Sequence, residues 1–569
     1  MRHSDKTTSV RLHTSWLMWA TPLLLTVPNI ALCFTEQYSI AAKITNIVLP
    51  AAFYAIICGL SRNIGRTVLF MLPLMIFAAF QIVLLNLYGE SIIAVDMFIN
   101  VATTNVSEAT ELLGSLMLAI AIVCILYLPP LISGGILVYR KAKVEATAIR
   151  KFRRTSLALA AAGMAMLAFT EFTVPGYKAT RELFPINVMS NLASAIVRTN
   201  ATAHYHNTSE NFSHHAFTTR PDSMPEVYVM VIGETSRAEN WQLMGYGRPT
   251  NPRLSQRNDI TAYPKALSES NTTHKSVPML MSHLDATNFG DSIYYTKSIF
   301  EAFNACGYST AFISNQRHNH SFIDFFGEQA RHCEFITDST GLPQHDMKTV
   351  ECMIRHISRS KPKKIFMVLH TYGSHFNYRE RYPEDMGHFT PTDNTEARAA
   401  NRPQLLNAYD NSIRYTDLML DSIINLLESL KVPAAMIYAS DHGEDIFDDS
   451  RGRFLHASPT GTYHQLHVPL IVWMSGEYRH MFPQKYASAE MYKACNISSS
   501  ASLFHTMIDI AGISTPYLKP ESALTGGKYE EPEAMFLNDY LEGVPLRSSG
   551  LRHQDFSQFE LHDIEIGNK

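Results

Sequence analysis

The sequence predicts an N-terminal five-helix transmembrane domain joined to an exported α/β domain with a mostly parallel central sheet. Three observations support this prediction. The 569 residues exceed one ordinary domain, long apolar runs are confined to roughly the first 175 residues, and strand-like and helix-like patterns alternate after them. We therefore expect a transmembrane domain over 1–175, a linker along the membrane over 176–224, and a globular domain over 225–569.

Five stretches are long and apolar enough to cross a bilayer, at about 16–34, 45–60, 67–87, 112–139 and 157–172. Fewer spans with buried hairpins are the alternative. Arginine and lysine residues cluster before the first stretch, between the second and third, and between the fourth and fifth. Because positive loops stay in the cytoplasm, we expect the N-terminus inside and everything after the fifth span outside.

Net charge and cysteine content limit the binding partners and the disulfides that the chain can have. The net charge is −4 and there is no basic stripe with interleaved aromatic residues, which argues against nucleic acid as a partner. The segment from about 177 to 224 is polar and is expected to be irregular. Four exported cysteines could form disulfides, and loop length favours Cys333 with Cys352.

The globular part alternates two patterns. Predicted strands lie at 227–232, 310–313, 364–369, 434–439 and 468–473, and predicted helices at 297–305, 347–357, 404–430 and 498–511. This alternation favours a mostly parallel sheet covered on both faces. Ligands of such sheets bind beyond the carboxyl ends of the strands, so we expect a site there.

Acid, imidazole and hydroxyl side chains follow those strand ends. They occur in 233–236 after the first strand, 315–316 after the second, 370–375 after the third and 440–444 after the fourth. Glu234, Asp441 and His442 offer the carboxylate and imidazole ligands that zinc takes, and a metal-bound hydroxyl is a stronger nucleophile. Each residue alone could be a helix cap or a turn residue, but their coincidence favours a metal site.

The exported part carries the motifs VIGETSR at 231–237, MGYGRPTNP at 244–252, TTHKSVP at 272–278, GSH at 373–375, RYP at 381–383, YDNS at 409–412 and SDHGE at 440–444. In this order they resemble the phosphoethanolamine transferases of the alkaline-phosphatase/sulfatase superfamily. This family includes the lipid A modifying enzymes and the mobile colistin-resistance proteins. The resemblance covers the whole chain, since five spans before an exported catalytic domain are the family's architecture, and it implies an alkaline-phosphatase-like (sulfatase-like) fold.

The resemblance also implies the site. It makes Thr273 the nucleophile, with Thr272 as the competing hydroxyl, and it implies a zinc ion held by Glu234, Thr273, Asp441 and His442. Manganese is the alternative to zinc. Asn315 is implied to contact the phosphate of the substrate. His375 and His456 are implied to hold that phosphate or a second zinc, and His375 is also the implied proton donor. His464 and His467 are the alternatives to His456.

Two departures from the family pattern concern the phosphate contact and the nucleophile loop. The basic residue expected four positions after Asn315 is Asn319, flanked by His318 and His320. The cysteines that bracket the nucleophile in many lipid A enzymes of the family are Glu269 and Met279 here. The second departure resembles the branch that modifies the lipopolysaccharide core, so both lipid A and core remain candidate acceptors.

In the membrane half, Asn100, Thr104 and Glu108 fall at i, i+4 and i+8 and would share one face of a helix. The resemblance implies that such a triplet lines the approach of the lipid headgroup. An ordinary exposed loop helix is the alternative.

The reaction implied by the resemblance takes phosphoethanolamine from phosphatidylethanolamine and gives it to lipid A or core, through a threonine-bound intermediate. The implied location is the inner membrane of a Gram-negative bacterium, with the catalytic domain in the periplasm. A sulfatase would need arginine where Leu280 stands, and a phosphoglycerol transferase typically has Glu-Ser-Phe where 234–236 reads Glu-Thr-Ser. An inactive scaffold would lack metal ligands, and none is missing.

Overall fold

The computed structural model describes residues 16–89, 92–103, 116–341, 344–360 and 364–567. The chain divides into two compact units. Unit 1 comprises Met1–Val197 with Arg451–Arg453, and unit 2 comprises Arg198–Ser450 with Phe454–Lys569.

Unit 1 is helical, and its described helices are α1 (Trp16–Thr35), α2 (Ile40–Gly59), α3 (Ile64–Phe70), α4 (Leu72–Tyr88), α5 (Val95–Thr103), α6 (Met117–Tyr139) and α7 (Ala146–Thr173). Four of them, α1, α2, α6 and α7, are long and apolar enough to cross a membrane alone, and the pair α3 and α4, bent by 50°, makes a fifth if it is counted as one broken span. A proline in the first turn of α4 accounts for the break, because it cannot continue the hydrogen-bond ladder of α3. The prediction of a five-helix domain is confirmed with this broken third span.

Helices α2 and α7 pack closely over their length. A Cβ added at Gly163 of α7 would lie 3.0 Å from the Cα of Leu49 in α2. Farther along, the hydroxyl oxygens of Thr45 and Thr170 are 2.8 Å apart. Small residues let helix backbones approach in an apolar medium, and paired hydroxyls satisfy each other there.

The expectation of an irregular chain over 176–224 is wrong, because this segment contains helix α8 (Ile186–Ala203). The amides of Asn187 and Asn191 are buried and both donate to the carbonyl of Ile93, at 3.0 and 2.8 Å. These buried amides interrupt the apolar pattern, which concealed the helical period in the sequence. The function of 176–224 as a linker along the membrane stays a prediction.

Unit 2 is built on a seven-stranded sheet of β1 (Glu226–Gly233), β2 (Ile260–Ala262), β3 (Ser309–Ser314), β4 (His332–Phe335), β5 (Lys364–His370), β6 (Ala434–Ser440) and β7 (Leu470–Met474). The strand order is β2-β7-β6-β1-β5-β3-β4. Six strands run in one direction, and β7 runs in the opposite direction. The predicted mostly parallel sheet is confirmed. Strands β1, β5 and β6 are buried along their whole length, as expected for continuous apolar strands covered on both faces.

Helices that contact the central sheet include α10 (Ile299–Ala305), α11 (Met347–Ser360), α12 (Arg402–Ser429) and α13 (Ser499–Ile510), and α9 (Thr273–Leu280) packs against α13. All of these except α9 were predicted from the sequence within a few residues. Two nine-residue helices of unit 2, Pro483–Met491 and His553–Leu561, were also not predicted. Helix α9 has only eight residues and contains Pro278, so it has no recognisable period.

The favoured disulfide between Cys333 and Cys352 is absent, and all seven cysteines are free. The Sγ of Cys352 instead lies 3.0 Å from the guanidinium of Arg355 and 3.6 Å from the carboxylate of Glu334. Loop length alone was therefore a poor guide, because the Cys352 side chain has other partners.

Candidate active site

The register of the sheet brings Glu234 and Asp441 together. Strands β1 and β6 are parallel neighbours, and Gly233 pairs with Ser440, so the next residue of each strand leaves the sheet at the same level. The backbone N–H of Thr235, whose φ is 61°, then donates to Oδ1 of Asp441 at 3.0 Å. This bond fixes the two acidic side chains at the carboxyl edge of the sheet.

Thr273 lies directly against these residues, at the first position of α9. Its hydroxyl donates to Oε1 of Glu234 at 3.2 Å and is 3.1 Å from Nε2 of His442. Thr272 points elsewhere, with its hydroxyl 3.2 Å from that of Ser270. Of the two neighbouring threonines, the structure therefore brings Thr273 to the acidic rim.

The atoms around Thr273 form a donor set suited to a metal. Nε2 of His442 lies 3.2 Å from Oδ2 of Asp441 and 3.6 Å from Oε1 of Glu234. Nδ1 of His442 donates to the carbonyl of Gly443 at 2.8 Å, which leaves a lone pair on Nε2. The buried Oδ2 of Asp441 has no hydrogen-bond partner among the described residues, as expected for an oxygen that ligates a cation. Carboxylate oxygen and imidazole nitrogen in this arrangement fit zinc.

The electrostatics of this donor set favour a bound cation. Burial, with the nearby charge of Asp441, raises the pKa of Glu234 to about 7. Burial likewise raises the pKa of Asp441 to about 7 and lowers that of His442 to about 4. The ligand oxygens of Glu234 and Asp441 lie within 4.8 Å of each other. Two buried carboxylates this close repel each other when ionised, and a divalent ion between them removes that penalty.

A second group of side chains shares Glu234 with the first. Glu234, His375 and His456 offer ligand atoms within 4.8 Å of one another. Nδ1 of His456 donates to Oε2 of Glu444 at 2.8 Å, and Nδ1 of His375 donates to the carbonyl of Phe376 at 2.7 Å. Both histidines therefore keep Nε2 available for a phosphate oxygen or a metal. The rings of His442 and His456 are 4.2 Å apart, which joins the two groups.

The rivals of His456 have other partners. Nδ1 of His464 is 2.7 Å from the carboxylate of Glu239, in a cluster that includes Arg237 and Asp448. Burial opposes protonation, but Glu239 and Asp448 raise the pKa of His464 to about 9. The ring of His467 bonds to the carbonyl of Pro264 and the hydroxyl of Tyr463. Of the three histidines, the structure brings only His456 beside His442.

Residues that the sequence interpretation left without a role complete the site. Glu444 orients His456 and accepts a hydrogen bond from the hydroxyl of Tyr378. Nε2 of Gln316 donates to Oε2 of Glu234 at 3.0 Å. Glu444 and Gln316 lie in the strand-end segments 440–444 and 315–316, and this position in the sequence could have identified them as site residues. Asp346, which accepts from the amide of Asn315 at 2.7 Å, lies in no motif.

Other predicted site residues are placed as follows. The amide of Asn315 also donates to the carbonyl of Gln344, while its buried Oδ1 has no partner in the described part of the chain. In unit 1, Asn100 lies in α5. Thr104 and Glu108 lie outside the described residues, so the polar triplet stays a prediction.

Gly373 supports the backbone of Glu234 by close contact. Its φ is 56°, and a Cβ there would lie 2.4 Å from the carbonyl oxygen of Glu234. Gly373→Ala is therefore expected to displace Glu234 and to lower the transfer rate by about tenfold or more. Gly341→Ala is the matched control, because Gly341 has a φ of 73° but a Cβ added there would meet no atom of the described residues within 4 Å. Equal transfer rates for the two variants would contradict this role.

Glu269, which stands where the resemblance led us to expect a cysteine, holds the segment before Thr273 by hydrogen bonds. Its carboxylate accepts from the hydroxyl of Ser498 at 2.8 Å and from the backbone N–H of Ala286 at 2.7 Å. Its own N–H donates to Ser500 at 3.1 Å. These bonds tie the segment before Thr273 to the beginning of α13 and to the chain after α9.

Glu269→Ala is expected to lower the free energy of unfolding by about 2–4 kcal/mol, because two buried donors lose their acceptor. The loss should depend on pH. Burial raises the pKa of Glu269 from 4.5 to about 7, so between these values the folded protein holds a proton that the unfolded chain has released. The protonated carboxyl of Glu269 therefore contributes to the free energy of unfolding in full below about pH 4.5. This contribution is lost as the pH rises from 4.5 to about 7.

Denaturant unfolding of the full-length protein should thus show a larger difference between wild type and Glu269→Ala at about pH 6 than at about pH 8. Glu533→Ala removes an exposed carboxylate and is the control. A difference that grows towards alkaline pH would contradict the assignment.

Comparison with known proteins defines the class to which this fold and site belong. Residues 226–513, just over half of the chain, match the sulfatase family model, and the chain belongs to that family. It is 30% identical over 303 residues to phosphoethanolamine transferase EptA of Salmonella typhimurium, covering 51% of this chain and 54% of that protein. The match thus spans about half the length of the curated relative. The resemblance to phosphoethanolamine transferases is confirmed.

Solved structures agree on the fold. The integral membrane protein lipooligosaccharide phosphoethanolamine transferase A from Neisseria meningitidis matches with a TM-score of 0.70 at 24% identity, covering 92% of this chain and 99% of that chain. The C-terminal periplasmic domain of EptC from Escherichia coli, in complex with Zn, matches with a TM-score of 0.53 at 21% identity, covering 60% and 97%. The predicted combination of a transmembrane domain and an alkaline-phosphatase-like domain is confirmed.

Proposed function

We propose that this protein transfers phosphoethanolamine from phosphatidylethanolamine to lipid A or to the lipopolysaccharide core, with Thr273 as nucleophile. The observation that carries the proposal is the position of the Thr273 hydroxyl, within 3.2 Å of both Glu234 and His442. This hydroxyl lies beside the oxygen of Asp441 that has no hydrogen-bond partner among the described residues. The names of the relatives, which are phosphoethanolamine transferases, support the transferred group.

The reaction has two displacement steps at phosphorus. In the first, Oγ of Thr273 attacks the phosphorus of phosphatidylethanolamine, and the bond to the diacylglycerol oxygen breaks. His375 is the proposed proton donor to that oxygen or, with Asn315 and His456, a clamp on the phosphate. In the second step, an acceptor oxygen attacks the phosphoethanolamine-threonine intermediate and releases Thr273.

Glu234, Thr273, Asp441 and His442 are the proposed holders of a zinc ion. When bound, the ion would favour the ionised hydroxyl of Thr273 and offset charge on the phosphate oxygens. Mixed oxygen and nitrogen donors and the lone pair on His442 support zinc at this position, as does Oδ2 of Asp441, which lacks a hydrogen-bond partner in the described chain. The group of Glu234, His375 and His456 is a candidate for a second ion or for the substrate phosphate.

The proposed location is the inner membrane of a Gram-negative bacterium, with 225–569 as the catalytic domain in the periplasm. Four apolar spans, with the bent pair α3 and α4 as a fifth, and alternate positive loops support this orientation. In this proposal 176–224 runs along the membrane surface, and Asn100, Thr104 and Glu108 guide the lipid headgroup. Phosphoglycerol transfer, the alternative, is not favoured by the names of the curated relatives.

Mass spectrometry of lipid A and core oligosaccharide tests the proposed function. Cells that express the protein are compared with cells that express the Thr273→Ala variant. We expect a gain of one phosphoethanolamine group on one of the two fragments only with the unaltered protein, and the fragment identifies the acceptor. Identical spectra from the two strains, with both proteins present in the membrane, would refute the proposal.

A further inference from the structure

Two histidines and an aspartate form a compact cluster outside the Thr273 site. His318 and His320 follow β3, and Asp324 lies in the short helix Phe322–Gly327. Each residue offers one ligand atom, and these atoms lie within 4.8 Å of one another. The Asp324 side chain is buried, His318 is 29% exposed and His320 is exposed. An ion from solvent can therefore reach the cluster.

The surroundings of His318 are those of a metal ligand. Its Nε2 is 3.0 Å from Oε1 of Glu328, and a proton on Nε2 satisfies that contact. Nδ1 then presents a lone pair to Oδ2 of Asp324 at 3.5 Å, which exceeds the usual length of an N–H···O hydrogen bond. Two ligands of a tetrahedral zinc ion, each about 2.0–2.1 Å from the metal, lie about 3.3 Å apart. The spacing of Nδ1 and Oδ2 is close to that value.

The backbone around the cluster is held before any ion binds. Oδ2 of Asp324 accepts from the N–H of Asn319 at 2.7 Å and from the N–H of His320. The N–H of His318 donates to Asp338 at 3.1 Å, and Ser321 caps the short helix through the N–H of Ile323. His320 has a φ of 58°, and the rings of His318 and His320 lie 5.0 Å apart. Little ordering remains for the binding step.

We propose that His318, His320 and Asp324 form an accessory zinc site, separate from the Thr273 centre. Nδ1 of His318, a ring nitrogen of His320 and the carboxylate of Asp324 are the protein ligands, and water takes the fourth position. Glu328 orients His318 from outside the ligand set. The same loop contains Gln316, which donates to Glu234 at 3.0 Å, so an ion here anchors the segment that contacts the proposed catalytic rim.

Zinc content of the full-length protein in detergent tests this site. The protein is loaded with zinc, desalted and measured by elemental analysis. H318A/H320A should hold about one zinc fewer than the wild type, whereas H480A/H553A, which removes two exposed histidines elsewhere, should hold the same amount. Glu328→Gln keeps every ligand and should lower the affinity of the accessory zinc by about tenfold. Wild-type zinc content and affinity in H318A/H320A would overturn the proposal.

Anomalous scattering at the zinc edge gives an independent result on the unaltered protein, so a variant that fails to fold does not leave the question open. A peak bounded by His318, His320 and Asp324 is expected. No peak there at saturating zinc would overturn the site. Both readouts follow zinc at these residues and not transfer, so a failure of the proposed function remains distinguishable.

Discussion

Thr273→Ala is expected to lower phosphoethanolamine transfer by at least about 1,000-fold while the protein remains folded. The variant lacks the hydroxyl that faces Glu234 and His442, although Glu234, Asp441 and His442 stay in place. The structural change is small, because Thr273 is the first residue of the helix and its side chain contacts the acidic rim through Glu234 and His442. Release of diacylglycerol from a fluorescent phosphatidylethanolamine measures the effect.

Thr272→Ala is the matched control for this prediction. Thr272 is the preceding residue and is equally small, but its hydroxyl faces Ser270. Its loss should change the transfer rate by less than about tenfold. If Thr272→Ala abolished transfer and Thr273→Ala did not, the nucleophile would be the neighbouring threonine.

Asp441→Asn is expected to weaken metal binding by at least about 100-fold and to abolish transfer with it. Oδ1 of Asp441 accepts the backbone N–H groups of Thr235 and His442, and an asparagine carbonyl can keep those bonds. Its NH2 group would replace Oδ2, which has no partner among the described side chains, and an NH2 group cannot ligate a cation. Zinc competition with a chelator measures the loss.

A second buried aspartate provides the control for the removal of a charge. Asp417 accepts the backbone N–H groups of Arg253 and Leu254, both at 3.0 Å, and belongs to none of the candidate metal groups in the described chain. Burial raises its pKa to about 6, so it resembles Asp441 in environment. Asp417→Asn should leave the zinc affinity unchanged. Equal losses in the two variants would mean that Asp441 acts through general stability.

Hydrophobic patterns in the sequence predict the central strands of the sheet, but they do not predict the short strands at its two edges. Strands β1, β5 and β6 are continuous apolar runs, which parallel strands covered on both faces require. Strands β2 and β4 have three and four residues, too few to establish a period. Helix α8 was missed because buried asparagines, paired to backbone carbonyl groups, interrupt its apolar face.

Some residues of the candidate site could likewise be predicted from the sequence pattern, and others could not. Glu234, Asp441 and His442 could be predicted because they directly follow parallel strands, whose ends meet at one edge. Thr273 begins a short helix with no pattern of its own, so only the resemblance selected it. His456 and His464 both lie in the chain between β6 and β7, and the choice between them depends on the contacts with Glu444 and Glu239 that the tertiary fold creates.

In the proposed mechanism, Thr273 carries the transferred group between the two steps. Incubation of the purified protein with phosphatidylethanolamine and no acceptor, followed by proteolysis and tandem mass spectrometry, measures this directly. We expect the peptide that contains Thr273 to gain the mass of one phosphoethanolamine group at that residue, and diacylglycerol to be released in equal amount. Release of diacylglycerol with an unmodified Thr273, or with the group on another residue, would contradict the account.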